Sequence, residues 1–320
     1  MRETMKIFNR DGRGSEEIVA AVGLISNDVA FDKWEAVLPF GIRDVSAIVG
    51  PEPVAALAAH YESGDDENDE AIAAAVAMLQ QAVAFFTWLK LIPTLDAQHD
   101  STGRAKRLGE NEKGLTALQE FKDEENILRL AYEAVDALVE ILDVNAFDFW
   151  INSRKYRQRR GLLIQSKEAF DEFYNIGSHR LFVTITPIIR EMQGSQIAPV
   201  IGRQHLAELL ESAEGECGAV EVLREPACRA LALLTMKKAI ERLPVEVIPE
   251  GVVQVQQSQP VKSRLKAEQA ARAAVAASLG ADAAKYLENL QDLVAELDAA
   301  DAAPDYYVPK PLVHSKGMSY

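Results

Sequence analysis

A cluster of cations beside aromatic rings is the feature of this chain most suited to chemistry. It follows Phe149 and Trp150 and comprises Arg154, Lys155, Tyr156, Arg157, Gln158, Arg159 and Arg160. Guanidinium groups next to aromatic rings can bind phosphate, and they can equally pair with carboxylates of the same chain or of another subunit. Because the whole chain is strongly acidic, we favour protein carboxylates over phosphate as the partners.

Other residue patterns give no sign of catalysis. Gly109 and Gly114 have the spacing of a phosphate-binding loop, but Leu115 stands where that loop needs a lysine. The acidic run 65–70 lacks the Gly and Glu positions of a calcium-binding loop, so we interpret it as the acidic start of a helix near Glu70. The five His and two Cys residues have no metal-binding or nucleophile motif. We therefore expect no enzymatic activity and no cofactor.

The C-terminal residues 299–320 differ in character from the rest of the chain. Three prolines disfavour a long helix there and favour an extended arm. The apolar side chains that could dock on a neighbouring chain are Tyr306, Tyr307, Val308, Pro309 and Leu312. A disordered end is the alternative interpretation.

Composition restricts the class of protein. The 320 residues include 49 acidic and 34 basic side chains, for a formal charge of −15. Such a chain is poorly suited to coat nucleic acid, because binding phosphates requires clustered Lys and Arg. Two cysteines do not form a disulfide framework, and the sequence predicts neither a signal peptide nor a membrane-spanning segment.

The chain contains an internal repeat at an offset of about 148 residues. IRDVSAIVGPEPVAALAAHYES at 42–63 corresponds to IREMQGSQIAPVIGRQHLAELLES at 189–212, with Pro39 before the first and Pro187 before the second. Each segment is followed by a polar break and then by a long apolar helix that we expect to stop at Pro93 or Pro244. This order of features predicts a tandem duplication.

The periodicity predicts a mainly α fold, with each helical unit carrying a small β-hairpin. Apolar stripes at helical spacing occur in both halves, at Ala131, Val135, Leu138 and Leu142, and at Leu287, Leu290, Leu293, Val294 and Leu297. Hairpins are expected near 94–108 and near 245–256. The apolar run 180–187 could add a strand or form a buried helix. We predict a first repeat at 1–150, a second at 151–298 and the arm at 299–320.

Some of these motifs resemble a known family. The leucine-proline helix end and Val-rich hairpin LPVEVIPEGVVQV at 243–255, followed by Tyr286, Leu287 and Leu290, are similar to an uncharacterised family encoded among the virion structural genes of Bacteroidetes phages and prophages. The resemblance implies a virion component, a head-to-tail connector or neck adaptor, with no catalytic residues to carry over. Such adaptors are often helical and form a ring, commonly twelve-fold, below the portal.

We therefore expect a structural protein that forms a homo-oligomeric ring in the virion after assembly in the bacterial cytoplasm. Its expected partners are the portal and other neck or tail proteins. DNA would at most pass through without sequence-specific binding, and no membrane is involved. The alternative is a non-viral scaffold or adaptor that binds other proteins as a monomer or dimer.

Overall fold

A computed structural model of the chain describes residues 5–23, 29–64, 69–100, 103–106, 115–212, 218–243 and 269–301. The first half contains α1 (Gly14–Val22), α2 (Phe31–Val49), α3 (Pro51–Ser63), α4 (Glu70–Asp96), β1 (Ala97–Asp100), β2 (Gly103–Lys106) and α5 (Ala117–Asn145). Short helices α6 (Asp148–Ile151), α7 (Arg154–Arg157) and α8 (Lys167–Asp171) follow. The second half contains α9 (His179–Met192), a π-helical turn (Gln193–Ile197), α10 (Ala198–Ile201), α11 (Arg203–Glu211), a 3₁₀ turn (Ala219–Leu223), α12 (Arg224–Arg242) and α13 (Gln269–Asp301). The fold is mainly helical, as predicted.

Polar caps fix where the two longest helices of the first half begin. The Asp69 carboxylate accepts hydrogen bonds from the backbone N–H groups of Ala71 and Ile72, at 2.9 and 3.2 Å. The predicted acidic helix start is thus confirmed at Asp69, whose carboxylate accepts hydrogen bonds from N–H groups that would otherwise be unpaired. Thr116 and Gln119 form a reciprocal capping box at the start of α5.

Helix α4 is the centre of the first core. It packs against α2 and α5, and the stripe predicted on α5 is buried there. Trp34 of α2 stacks on Trp88 of α4 with ring centroids 5.3 Å apart. By length and composition alone α4 could cross a membrane, although no membrane-spanning segment was predicted. Its buried residues contact neighbouring helices, as is usual for the central helix of a helical core.

The second core repeats this arrangement. Helix α12 packs against α9 and α13, in the way that α4 packs against α2 and α5. On α13, Leu290 is buried and the other apolar residues of the predicted stripe are half-buried against the same core. Equivalent helices therefore have equivalent partners in the two halves, which supports the predicted duplication.

Helices α2 and α9 show both the repeat and a departure from it. Pro39 and Pro187 are each the ninth residue of their helix. Gly50 and Gly202 then break the helical path with φ of 108° and 79°, a conformation that favours glycine. The second half has four more residues between its proline and its glycine, and the π-helical turn lies in this interval. Glycine thus marks the equivalent break, whereas the prolines aligned from the sequence, at 51 and 199, lie on different sides of it.

Two local expectations require correction. Helix α4 does not stop at Pro93 but continues to Asp96. A proline in the last turn removes only one backbone hydrogen bond, and the Thr94 hydroxyl donates to the Leu91 carbonyl at 2.7 Å. The run 180–187 lies within α9 and is helical, so the strand alternative is wrong and the buried-helix alternative is confirmed. Helix α12, by contrast, ends at Arg242, immediately before the Leu243–Pro244 pair.

The structure describes the first predicted hairpin but not the second, and it describes only the first residues of the predicted arm. Strands β1 and β2 pair in antiparallel register, from Ala97 opposite Lys106 to Asp100 opposite Gly103, which confirms the first hairpin. The second hairpin and residues 302–320, including the docking residues of the arm, lie outside the described residues. Residues 299–301 belong to α13. Apart from Val183 of α9, which belongs to the first cluster, the hydrophobic clusters divide between Tyr156 and Leu162, a few residues after the predicted boundary.

Candidate interaction surface at the junction of the repeats

The structure separates the predicted basic residues into two groups. Arg154, Arg157 and Arg160 are exposed, whereas Lys155 and Tyr156 are half-buried. Burial, together with the neighbouring Arg154, lowers the pKa of Lys155. Arg159 is 4% exposed and points into the protein. The segment therefore serves two purposes, one internal and one at the surface.

Arg159 forms the centre of a buried cluster. Its Nη1 donates to Asp143 Oδ1 at 2.7 Å, and the indole Nε1 of Trp150 donates to the same oxygen at 2.7 Å. The guanidinium carbon lies 5.1 to 5.5 Å from the ring centroids of Trp150, Tyr156 and Phe182. Asp143 is thus an intramolecular carboxylate partner, one of the predicted alternatives, and the burial of Arg159 excludes it from surface contacts.

His179, the first residue of α9, completes this cluster. Its Nδ1 lies 3.8 Å from Asp143 Oδ2, and its Nε2 lies 3.7 Å from Glu168 Oε1. The Asp143 carboxylate raises the pKa of His179, against the effect of burial. Burial alone would raise the pKa of Asp143, but the contacts with His179 and Arg159 outweigh it and lower that pKa. The cluster therefore favours the charged forms of Asp143 and His179, and it connects α5, the turn after α7 and the start of α9.

A second polar contact joins the repeats at the same start of α9, two turns earlier along α5. Asp136 of α5 accepts hydrogen bonds from the Ser178 hydroxyl and the Arg180 N–H, at 2.8 and 2.7 Å. The guanidinium of Arg180 lies 4.0 Å from the ring centroid of Tyr132. Tyr132, Asp136 and Asp143 recur at helical spacing, so one face of α5 makes these contacts. Together they hold α9 of the second repeat against α5 of the first.

The surface side of the junction carries four exposed arginines. We call Arg154, Arg157, Arg160 and Arg190 the basic face. Arg190 of α9 donates from Nη2 to the backbone carbonyls of Gln158 and Arg160, the latter at 3.0 Å. This contact ties the second repeat to the basic segment and places Arg190 beside Arg160. Arg190 was not among the predicted residues, because it lies 30 residues beyond the cluster in the chain.

The described residues contain little that suggests a small-molecule site. No group of three His, Cys, Asp or Glu among them could hold a metal ion. An open groove of about 430 Å³ lies between α12 and α13 and is lined by Phe173, Arg229, Leu233, Asp282, Lys285, Tyr286 and Asn289. Arg229 pairs with Glu225 at 2.9 Å, and Lys285 pairs with Asp282 at 2.8 Å. The phosphate-loop candidate at 109–114 lies outside the described residues.

These features define a class of protein, a mainly helical tandem repeat whose two halves are joined by buried polar contacts. The chain belongs to the family of unknown function DUF6712, whose model matches residues 56–160 and 197–306, more than half of the chain. The matches fall in the two repeated halves, which confirms a tandem-repeat family. No curated protein and no solved structure matches the chain.

The position of His179 predicts a pH-dependent contribution to stability. Because its pKa is raised in the folded state, the contribution is fully present below about pH 6.5 and is lost as the pH rises through the folded-state pKa. His179→Gln should therefore reduce the free energy of unfolding more at about pH 6 than at about pH 9. Urea denaturation at the two pH values measures this difference. An equal loss at both values would contradict it, and Glu168→Gln should weaken the same pH dependence.

Proposed function

We propose that the chain is a virion structural protein, a phage head-to-tail connector or neck adaptor that assembles into a ring. The observation that carries this proposal is the basic face, which an otherwise acidic chain presents at the junction of two repeats. A surface of opposite charge to the rest of the molecule suits a contact with another copy or with an acidic partner protein. The resemblance of 243–255 and of Tyr286, Leu287 and Leu290 to virion proteins supplies the biological setting.

The tandem repeat suits a ring subunit. Ring closure requires two different surfaces on each subunit, so that one copy contacts the next in a head-to-tail manner. Two related but non-identical repeats provide such different flanks. The buried ion pair of Arg159 and Asp143 and the capping of α9 by Asp136 limit movement between the repeats. A fixed angle between the flanks then favours one ring size.

The proposed partners follow from the ring. Portal and other neck or tail proteins contact its two ends, and twelve copies are the common number in such adaptors. The net charge of −15 repels DNA phosphates, which suits a channel through which DNA passes without binding to a particular sequence. The proposal is non-enzymatic and places the protein in the virion, after assembly in the bacterial cytoplasm and without a membrane partner.

Sedimentation velocity tests this proposal. The purified chain should sediment as a discrete particle many times heavier than the 35.2 kDa subunit. The particle should dissociate as the salt concentration rises, because its contacts pair opposite charges at the surface. A monomer or dimer at every concentration, alone and with a portal protein, would contradict the connector and favour the scaffold alternative.

A further inference from the structure

The beginning of α5 carries a second exposed surface of unusual composition. Leu115, Leu118 and Phe121 are 54%, 43% and 43% exposed, and the exposed Glu124 follows Phe121 by one helical turn. We call these four residues the tip. The first buried residue of α5 among the described side chains is Ile127, so about ten residues of this helix extend past the core. Exposed apolar residues grouped in this way are typical of an interaction site.

The basic face lies at the other end of the same helix. Asp143, near the C-terminal end of α5, binds Arg159, the last but one residue of the basic segment. Next to Asp143, Val144 is 76% exposed, the highest value among the large apolar residues of the described chain. An exposed apolar side chain therefore follows directly in sequence after the residue that binds the basic segment. The exposed arginines are opposite in charge to Glu124 of the tip, and Val144 is apolar like Leu115, Leu118 and Phe121.

The two complementary surfaces cannot meet within one molecule. Helix α5 has neither proline nor glycine over its 29 residues, and one helical residue adds about 1.5 Å of length. Phe121 and Asp143 are therefore separated by about 33 Å along a continuous helix. Any pairing of the tip with the basic face must join two copies of the chain.

We propose that the tip of one copy docks on the basic face of the next copy, with Phe121 and Leu118 covering the apolar surface near Val144 and Glu124 pairing with Arg157 or Arg160. This inference rests on the proposed ring and identifies the contact that builds it. The contact joins two different surfaces, so a pair of copies still has a free tip on one copy and a free basic face on the other. A further copy can bind at each of these. Repetition closes a ring if the rotation between copies permits it.

The contact can be tested with two variants, each of which lacks one of the two surfaces. The tip variant combines Phe121→Ser with Glu124→Arg, and the basic-face variant combines Arg157→Glu with Arg160→Glu. All four residues are exposed, so the far-ultraviolet circular dichroism and the melting temperature should stay at wild-type values. Glu296→Arg on α13 and Lys33→Glu on α2, also exposed, are the matched charge controls.

Mass photometry should show that each variant alone stays monomeric while both controls assemble as the wild type does. An equal mixture of the two variants should form heterodimers and nothing larger, because only one tip and one basic face remain intact in each pair. If the wild type assembles and either variant assembles equally well, the docking contact is wrong while the ring proposal survives. If the wild type itself is only monomeric, both the contact and the ring are wrong.

Discussion

Replacing Asp143 with alanine is expected to lower the free energy of unfolding by about 3 to 5 kcal/mol, because it leaves a buried arginine without its counter-ion. The side chain of Arg159 is 5% exposed and that of Asp143 is 18% exposed, so the guanidinium left behind has little contact with solvent. The indole N–H of Trp150 loses its acceptor at the same time. Urea denaturation of the full chain at neutral pH measures the loss.

A matched control lies on the same helix. Glu133 pairs with Arg129 in the open, with side chains 57% and 59% exposed, and Glu133→Ala should cost about 1 kcal/mol or less. The double variant Asp143→Leu with Arg159→Met should recover part of the stability, since replacing both charges removes the unpaired one. A loss for Asp143→Ala no greater than that of Glu133→Ala would contradict the role of this ion pair as the link between the repeats.

Replacing Gly41 with alanine is expected to destabilise the first repeat by about 2 to 3 kcal/mol, because α2 and α4 pack too closely there for a methyl group. A Cβ atom at Gly41 would lie 2.2 Å from Thr87 Oγ1 and 2.8 Å from the Val83 carbonyl oxygen. Thr87 is fully buried and its hydroxyl donates to that carbonyl at 2.6 Å, so neither group can move freely. Thermal or urea unfolding measures the effect.

The sign of the change in the free energy of unfolding distinguishes an effect of packing from an effect of helix propensity. In a helix, alanine is intrinsically more favourable than glycine by about 1 kcal/mol, so propensity alone would make Gly41→Ala stabilising. Gly194 provides the control, since a Cβ atom there would have no neighbour within 4 Å, and Gly194→Ala should be neutral or stabilising. Thr87→Ala should partly rescue Gly41→Ala, because it removes the nearer of the two obstructing atoms. A stabilising effect of Gly41→Ala would show that α2 and α4 are further apart than the structure places them.

Periodicity was sufficient to predict most of the fold. The stripe from Ala131 to Leu142 is buried because apolar residues at helical spacing must face a core. Backbone rules for proline were less reliable, since Pro39, Pro93 and Pro187 all lie inside helices. A proline interrupts one hydrogen bond, and packing on both sides of it can hold the helix together. The π-helical turn had no sequence signal beyond a small change in the repeat offset.

The candidate site was predictable only in part. The basic segment stands out because it opposes the charge of the chain, and three of its arginines are exposed. Nothing in residue type distinguishes the buried Arg159 from its neighbours, and Asp143 is one of 49 acidic residues. Their pairing depends on the path of the chain from α5 through α6 to α7, which brings Arg159 back to Asp143. Contacts between distant residues, such as Arg190 with the carbonyl of Arg160, require the folded structure.

Particle imaging of the purified full chain by electron microscopy tests the central claim, that this tandem-repeat protein is a subunit of a ring. We predict closed rings of uniform size, with neighbouring subunits joined head to tail. Fields of single particles with the dimensions of one or two chains, at high protein concentration and low salt, would contradict it.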